Sequence, residues 1–115
     1  MRAILRRAAP APDRVEVGEL VVDRAARRAS VAGVAVPLAA REFQLLAKLA
    51  VDPTRVFTKE RLLREVWGYR ASIESRTVDA HASRLRRKLA AVGGERGYVV
   101  NVWGVGYKLV ESAPS

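Results

Sequence analysis

The chain has no cysteine and a single histidine among its 115 residues. Without thiols, disulfide bridges, thiolate metal sites and cysteine nucleophiles are excluded. No apolar run approaches the roughly 20 residues that a membrane-spanning helix needs. The opening segment 1–12 has too short an apolar core for a secretory signal peptide. We therefore expect a soluble protein located in the cytoplasm.

Acidic residues are also scarce. Twelve Asp and Glu oppose 21 Lys and Arg, which gives a net charge of +9 and a pI near 11.0. This balance favours a polyanionic partner, such as nucleic acid or an acidic membrane surface. A basic protein from an arginine-rich proteome would have the same composition, so net charge alone does not distinguish this case from a protein with a polyanionic partner. With 115 residues and 50% hydrophobic residues, the chain is expected to fold as one domain with its own core.

The residue patterns of catalysis are missing from the sequence. There is no Ser/His/Asp or Cys/His arrangement and no phosphate-binding glycine loop beside a strand. Gly104 and Gly106 lie within a predicted hairpin and indicate a turn. His81 has no carboxylate or cysteine at metal-ligand spacing, so a structural histidine is the simpler interpretation, with a modest phosphate contact as the alternative. We expect no enzyme activity, no cofactor and no metal.

The order of apolar patterns predicts strands, three helices and a final hairpin. Alternating residues in 15–38 predict an antiparallel sheet of three or four short strands. Helical spacing predicts helices at 40–51, 59–67 and about 75–92. The apolar runs 98–103 and 105–110 predict the hairpin, and 69–75 a connector.

The predicted helices differ in how well their ends are capped. Ala39 and Ala40 provide no side-chain cap for the first helix. Thr58 is a suitable N-cap for the second helix, with Phe57 and Leu62 placed for a hydrophobic staple. Gly68 can end that helix in a left-handed conformation.

The third helix divides into two faces. Its apolar stripe, spaced for burial, consists of Val78, Ala82, Leu85 and Leu89. Its opposite face combines guanidinium groups with small side chains: Arg76, Thr77, Ala80, Ser83, Arg84 and Arg87. Helices that enter a DNA major groove need this combination, because a bulky face cannot approach base edges and an acidic face is repelled by phosphates. A solvated basic surface helix would show the same two faces. Insertion into a membrane surface is disfavoured, because the helix has no broad row of large apolar residues.

Three linked motifs carry a family resemblance. FTKERLLREVWGY at 57–69, SRTVDAHASRLRRKL at 75–89 and VNVWGVGYKL at 100–109 resemble the DNA-binding effector domain of OmpR/PhoB-type response regulators. The resemblance implies an α+β winged helix-turn-helix fold with an N-terminal antiparallel sheet, three helices and a C-terminal β-hairpin wing. It also implies that 1–14 is a linker and tail of a missing receiver domain, 15–112 the DNA-binding domain and 113–115 a C-terminal tail.

The resemblance also implies residue roles. In the family, the third helix lies in the major groove and the wing touches the adjacent minor groove. Base edges would then be contacted by Arg84, Ala80 and Ser83. Phosphates would be contacted by Arg76, Thr77, Arg87, Trp67, Asn101 and Lys108. For Trp67 the alternative role is a core or half-buried anchor. Arg86, beside Asp79, is expected to form a surface ion pair.

The wing residues Trp103, Gly104 and Gly106 depart from the commonest family pattern. Many members carry arginine just before the Gly-x-Gly, where this chain has Trp103. Tryptophan offers no guanidinium to a narrow groove, so it would pack on the sugar backbone or cover the core under the wing.

The predicted function is sequence-specific binding of double-stranded DNA by a two-component response regulator that controls transcription. The implied partners are direct DNA repeats bound by a tandem dimer, a receiver domain in the full-length protein and RNA polymerase through the connector 68–75. The alternative is a winged-helix module for protein association, which would show a larger apolar patch on the outer face of the third helix.

Overall fold

The computed structural model describes residues 13–68, 75–93 and 98–111. Its first part is the predicted antiparallel sheet, whose four strands are neighbours in chain order: β1 Arg14–Val17, β2 Leu20–Asp23, β3 Arg28–Val31 and β4 Val34–Ala35. Cα pairing of Val17 with Leu20, and of Leu20 with Val31, places alternate apolar residues on one buried face. Gly18 and Gly33 have φ of +60° and +82°, which the tight turns between strands require.

Helix α1 spans Ala40–Val51, as predicted. It buries Leu45, Leu46 and Leu49 completely. Ala39 provides no side-chain cap, as predicted. The Ala39 N–H still donates a hydrogen bond to Oε1 of Glu42 at 3.0 Å, so the third helical residue supplies its own, reciprocal half of a capping box.

Helix α2 begins as the α-helical turn Lys59–Leu62 and continues as the π-helical turn Leu63–Trp67. The Thr58 hydroxyl accepts a hydrogen bond from the Arg61 N–H at 3.1 Å, which confirms the predicted N-cap. Phe57 and Leu62, the proposed staple pair, are both buried. Gly68 follows the helix with φ of +93°.

Helix α3 spans Ser75–Gly93 and packs against α1. All four residues of its predicted apolar stripe are buried, with exposures of 1% or less: Val78, Ala82, Leu85 and Leu89. They join the leucines of α1 and the inner face of the N-terminal sheet in one core cluster. The outer face of α3 is therefore turned away from the core.

The chain closes with the predicted hairpin, formed by β6 Val100–Val102 and β7 Gly106–Lys108. A two-residue strand, β5 Phe57–Thr58, pairs with β7 and completes a second sheet of order β5–β7–β6. Strand β5 is not predicted from the sequence, because two residues are too few for an alternating pattern. At Gly106 an added Cβ would lie 1.9 Å from the Phe57 carbonyl oxygen, so only glycine allows this pairing.

Together the N-terminal sheet, three helices and hairpin form a winged helix-turn-helix. Parts of several expectations fall outside the described residues: residues 1–12 of the linker 1–14, residues 69–74 of the connector 68–75, and the tail 113–115. Within the described residues, no helix has the length and apolar character needed to cross a membrane.

Candidate nucleic-acid interface

The outer face of α3 carries all six residues predicted from the helical spacing. Arg76, Ala80, Arg84 and Arg87 are exposed, and Thr77 and Ser83 are half-buried beside them. Burial of the opposite stripe fixes this orientation, because α3 cannot rotate without exposing leucines. The two sides of α3 therefore meet the core and the solvent as the sequence predicted.

Arg84 is held in place by the carboxylate of Glu42, a role that was not predicted from the sequence. Its Nε donates to Oε2 of Glu42 at 3.3 Å, and Nζ of Lys88 donates to Oε1 of the same carboxylate at 2.7 Å. The Glu42 side chain is 3% exposed, whereas those of Arg84 and Lys88 remain 44% and 40% exposed. A buried anion in α1 thus orients two cations at the edge of the outer face.

The charge state of Glu42 follows from these contacts. Burial raises its pKa, but hydrogen bonds from Lys88, Ala39 and Arg84 and the charge of Lys88 outweigh burial and leave the pKa below its ordinary value. The carboxylate stays ionised near neutral pH. The sequence held a signal for this role, because Glu42 lies one turn before Leu46 on the buried side of α1.

Arg87 and Ser83 interact one turn apart on the outer face. Nη1 of Arg87 donates to the Ser83 hydroxyl at 3.2 Å in an exposed position. Such a bond is readily exchanged for water or another acceptor. The pair leaves the guanidinium of Arg87 near the surface of α3.

His81 and Trp67 meet on the flank between the two faces. Their rings are in edge-to-face contact, with centroids 5.1 Å apart and planes at 75°. Nδ1 of His81 lies 2.8 Å from the Thr77 carbonyl oxygen. Because a carbonyl oxygen can only accept, this hydrogen bond requires a hydrogen on Nδ1. Trp67 is half-buried and packs against the core. Nowhere in the described ranges do three or more potential metal-ligating side chains of His, Asp or Glu gather.

The wing is bonded directly to α3. The Tyr107 hydroxyl on β7 donates to Oδ1 of Asp79 at 2.6 Å, and Nζ of Lys59 lies 3.1 Å from the same oxygen. Burial raises the pKa of Asp79, but the bonds from Tyr107 and Lys59 outweigh burial and lower it overall. Burial and the neighbouring Asp79 carboxylate raise the pKa of Tyr107. One carboxylate of α3 therefore joins the wing and α2.

Arg86 forms a second link between α3 and the wing. Its Nε donates to the Val99 carbonyl oxygen at 3.1 Å, at the start of the hairpin. The expected surface ion pair of Arg86 with Asp79 is wrong, because Asp79 faces Lys59 and Tyr107 instead.

The wing tip is a three-residue turn in which the Val105 N–H donates to the Val102 carbonyl at 2.9 Å. Gly104 adopts φ of +78° in this turn. Trp103 is 85% exposed and Val105 47% exposed. The possibility that Trp103 covers the core under the wing is therefore wrong.

The other two predicted wing contacts lie further from the tip. Asn101 is half-buried on β6. The Lys108 side chain is 17% exposed, and its Nζ lies 3.1 Å from Oε1 of Glu111.

Known proteins resemble this chain in sequence and in structure. The family model described as "Transcriptional regulatory protein, C terminal" matches residues 33–109. The transcriptional regulatory protein ResD of Bacillus subtilis strain 168 is 40% identical over 94% of this chain and 49% of its own length. The chain thus spans about half the length of this curated relative.

Two solved domains share the fold. The DNA-binding domain of CpxR from E. coli has a TM-score of 0.75 and 33% identity, covering 91% of this chain and 100% of that domain. The RstA DNA-binding domain of Klebsiella pneumoniae, solved in complex with the RstA box, has a TM-score of 0.72 and 27% identity, covering 88% and 100%. Sequence and structure agree: the chain belongs to the family of C-terminal domains of transcriptional regulatory proteins, of the OmpR/PhoB winged-helix type.

Proposed function

We propose that this chain binds double-stranded DNA sequence-specifically, as the effector domain of a two-component response regulator that controls transcription. Helix α3 occupies the major groove, and the wing at 98–110 lies at the adjacent backbone and minor groove. The observation that carries the proposal is the outer face of α3, where exposed arginines alternate with the small Ala80 and Ser83. RstA, which has the same fold, was solved with its own DNA box.

Arg84 is the principal base-contacting residue, with Ala80 and Ser83 lining the same surface. A guanidinium that donates to O6 and N7 of guanine contributes roughly 1–3 kcal/mol of discrimination. Glu42 limits the rotamers of Arg84 before DNA arrives, since it accepts from Nε and leaves the terminal nitrogens of the guanidinium for a base. Arg76, Thr77 and Arg87 contact phosphates, which set the position of the helix without selecting sequence.

Three further residues are proposed to contact phosphates from the flanks. Trp67 would use its indole N–H, Asn101 its amide and Lys108 its ammonium group. Lys108 must first give up its ion pair with Glu111, because its Nζ lies 3.1 Å from Oε1 of Glu111. Since Glu111 is 75% exposed, water screens the pair and the exchange is inexpensive.

The competing function is a winged-helix module that associates with proteins and does not bind DNA specifically. Such a module would present large apolar side chains on the outer face of α3. Among the described residues, the large exposed apolar side chains are Val34, Val51, Trp103 and Val105, and none lies on α3. The exposed arginines and small side chains on the outer face of α3 therefore favour DNA binding over protein association.

Selection of bound sequences from a random duplex pool, at two salt concentrations, tests the function. A directly repeated motif spaced about one helical turn is expected. If four to six phosphates are neutralised per subunit, log K should fall against log salt with a slope of roughly −4 to −5. No enrichment, or affinity insensitive to salt, would support the association module instead.

A matched variant distinguishes DNA binding by the outer face of α3 from non-specific attraction of DNA to the protein's net positive charge. Arg28→Ala removes one exposed cation from the N-terminal sheet. It should leave the enriched motif and the salt slope unchanged, whereas Arg87→Ala should make the slope less steep by about 0.9. Equal effects would place the DNA elsewhere than on α3.

The wider context of the domain is part of the same proposal. Residues 15–112 form the DNA-binding domain, with a receiver domain joined through 1–14 and a short tail at 113–115. Two copies bind direct repeats in tandem, and the connector 68–75 contacts RNA polymerase. The regulator acts in the cytoplasm. The match with this chain covers 49% of ResD, and the rest of ResD is long enough for a domain of receiver size.

A further inference from the structure

An open groove, which we call the α1 groove, lies along α1 on the side turned away from α3. It has a volume of about 610 Å³ and is bounded by the β2–β3 turn, α1 and the segment 52–66. Glu42 marks the side of α1 that meets α3, through Arg84 and Lys88. Val51, in the groove, lies nine positions later, which is about half a revolution further round the helix. The α1 groove therefore faces away from the surface proposed to contact DNA.

Three guanidinium groups gather over the phenylalanine rings of the α1 groove. Cζ of Arg27 lies 5.3 Å from the ring centre of Phe43. Cζ of Arg55 and Cζ of Arg61 lie 5.7 Å and 5.0 Å from the ring centre of Phe57. Within the described part of the chain, these are all the contacts of a cation with an aromatic ring face. Because two cations that share one ring repel each other, an anion beside them would be stabilised.

The two cations at Phe57 differ in how far the domain itself neutralises them. Nε of Arg61 lies 2.8 Å from Oε2 of Glu65. Arg55 has a longer contact, 3.9 Å to Oδ2 of Asp52, and both side chains of this pair are 53% exposed. Water screens so open a pair. Arg55 therefore keeps most of its attraction for an external anion.

Arg27 is available to a partner and is not required by its turn. It is exposed, and none of the carboxylates in the described ranges forms an ion pair with it. Its φ is +57°, a conformation that glycine adopts with less strain. The turn is already stabilised by the Ala26 N–H, which donates to Oδ1 of Asp23 at 3.0 Å. Folding alone gives no reason for arginine at this strained position, which points to a contact outside the domain.

We propose that the α1 groove binds an acidic segment of another protein. Carboxylates of the segment pair with Arg27 and Arg55, and an apolar side chain packs against Val51, which is 44% exposed. Apolar surface surrounded by charged groups is the usual composition of a protein–protein interface. The inference goes beyond the proposed function, because neither arginine lies on the face of α3.

Charge favours this occupant over nucleic acid or a second copy of the chain. Asp52 and Glu65 line the α1 groove among its cations, and they would repel a phosphate backbone. A phosphate backbone also has no apolar side chain to place against Val51. A second copy would bring a net charge of +9 to a surface rich in arginine. An acidic segment with an apolar side chain meets both the charges and the apolar wall.

Titration with a defined peptide tests the proposal. The probe is a fluorescein-labelled synthetic peptide in which glutamates flank a central Leu-Trp pair, and its counterpart has glutamine in place of every glutamate. Fluorescence anisotropy should show saturable binding of the glutamate peptide, roughly tenfold tighter than that of the glutamine peptide, since two exposed ion pairs are lost. No saturable binding, or equal binding of the two peptides, would overturn the proposal.

Neighbouring arginines provide matched variants. Arg27→Gln should weaken binding of the glutamate peptide roughly fivefold. Arg28→Gln removes the same charge from an exposed position on β3 outside the groove lining and should leave binding unchanged. Arg27→Gly should act as Arg27→Gln does and keep the turn, because glycine adopts its positive φ freely. Equal effects of Arg27→Gln and Arg28→Gln would overturn the proposal in favour of general charge attraction.

Amide chemical shifts locate the peptide on the domain. Binding should shift the ¹⁵N and ¹H signals of Arg27, Val51 and Arg55, and Arg87→Gln should not alter the affinity. Shifts confined to α3, with weaker binding in Arg87→Gln, would place the peptide on the DNA-facing side and overturn the proposal. A less steep salt dependence of DNA binding in Arg27→Gln would do the same, because the occupant of the groove would then be nucleic acid.

Discussion

At the scale of single residues, Glu42 orients cations on the outer face of α3, the face proposed to contact DNA. Its buried carboxylate accepts hydrogen bonds from the Ala39 N–H, Arg84 and Lys88. One side chain therefore caps α1 and restricts the side chain proposed to contact bases. Restricting Arg84 before binding lowers the entropy lost when it reaches a guanine.

Replacement of Glu42 by glutamine should separate its role as a hydrogen-bond acceptor at the start of α1 from the role of its negative charge. Glu42→Gln keeps an acceptor for Ala39 but removes the charge that holds Arg84 and Lys88. Because both cations are more than a third exposed, water screens the loss, and we expect destabilisation of about 1–2 kcal/mol in urea denaturation. Glu19→Gln, in the exposed β1–β2 turn, is the control and should stay within about 0.5 kcal/mol. Equal losses in both variants would contradict the role of Glu42.

Arg84 and Arg87 should differ in what their removal changes. Arg84→Ala should relax preference at one base position by roughly 1–3 kcal/mol. Arg87→Ala should weaken binding to all sequences alike, because a phosphate contact carries no sequence information. Affinities for a selected site, its single-base variants and random duplex distinguish the two. If Arg84→Ala weakened all of these duplexes equally, its role as the base-contacting residue would be lost.

At the scale of elements, the angle between α3 and the wing depends on a few polar contacts. Asp79 on α3 meets Tyr107 on β7 and Lys59 on α2, and Arg86 adds a bond to the wing's first residues. Val99, whose carbonyl accepts from Arg86, has φ of +64°, which is unusual for a β-branched residue. The wing is thus fixed by bonds to its neighbours as well as by its own pairing.

Tyr107→Phe should loosen this connection without leaving a cavity. The change removes the hydroxyl that donates to Asp79, and a hydrogen bond to a charged group is worth about 1.5–3 kcal/mol. We expect a loss of that size in urea denaturation, together with faster amide exchange in β6 and β7.

Tyr98→Phe provides the matched control. Its hydroxyl donates to the Val17 carbonyl at 3.3 Å, a neutral bond to the N-terminal sheet that involves neither Asp79 nor α3. The expected loss is about 0.5–1.5 kcal/mol, with amide exchange in the wing unaltered. Unchanged wing exchange in Tyr107→Phe would show that Asp79 does not set the wing position.

Two glycines of the wing should respond differently to alanine. At Gly106 an added Cβ would overlap the Phe57 carbonyl oxygen at 1.9 Å, so β5 and β7 must separate. At Gly104 the space is open, but φ of +78° strains an L-residue by about 1–2 kcal/mol. We expect Gly106→Ala to lower the melting temperature considerably more than Gly104→Ala. The opposite order would mean that the β5–β7 pairing contributes little.

At the scale of the whole molecule, the two sheets and three helices share one core, and ionised carboxylates connect its parts. Glu65 on α2 accepts hydrogen bonds from Lys48 on α1 and from Arg61, which hold its pKa at about 2. The pKa values of Glu42 and Asp79 are also lowered. All three carboxylates bind protons less readily in the folded state than in the unfolded chain.

Acid should therefore destabilise the domain. Above the unfolded pKa values, 4.5 for Glu and 3.8 for Asp, the stabilisation is complete. As pH falls below them, the unfolded chain takes up more protons than the folded one, and stability is lost toward pH 2. Urea midpoints between pH 6 and pH 2.5 should fall steadily, and less steeply in Glu65→Gln. A Glu65→Gln profile parallel to that of the parent chain would contradict this role for Glu65.

Local sequence was sufficient for the three helices, the N-terminal sheet, the hairpin and the orientation of α3. The bounds of α1 and the N-cap at Thr58 follow from apolar spacing and from one hydroxyl at a helix start. The face proposed to meet DNA follows from the same spacing, because burial of Val78 and Leu85 leaves Arg84 and Ala80 outside. Periodicity acts over a few residues, and the sequence displays it directly.

Contacts between residues distant in the chain were decided only by the tertiary structure. Glu42 meets Arg84 across 42 positions and Tyr107 meets Asp79 across 28, and no local pattern marks either pair. The exposure of Trp103 and the strand β5 likewise depend on how the hairpin docks on α2 and α3. Local residue patterns thus predicted the helices, the N-terminal sheet, the hairpin and the polar face of α3. Long-range packing determined which charges are paired, how the wing is fixed and what its tip presents to a partner.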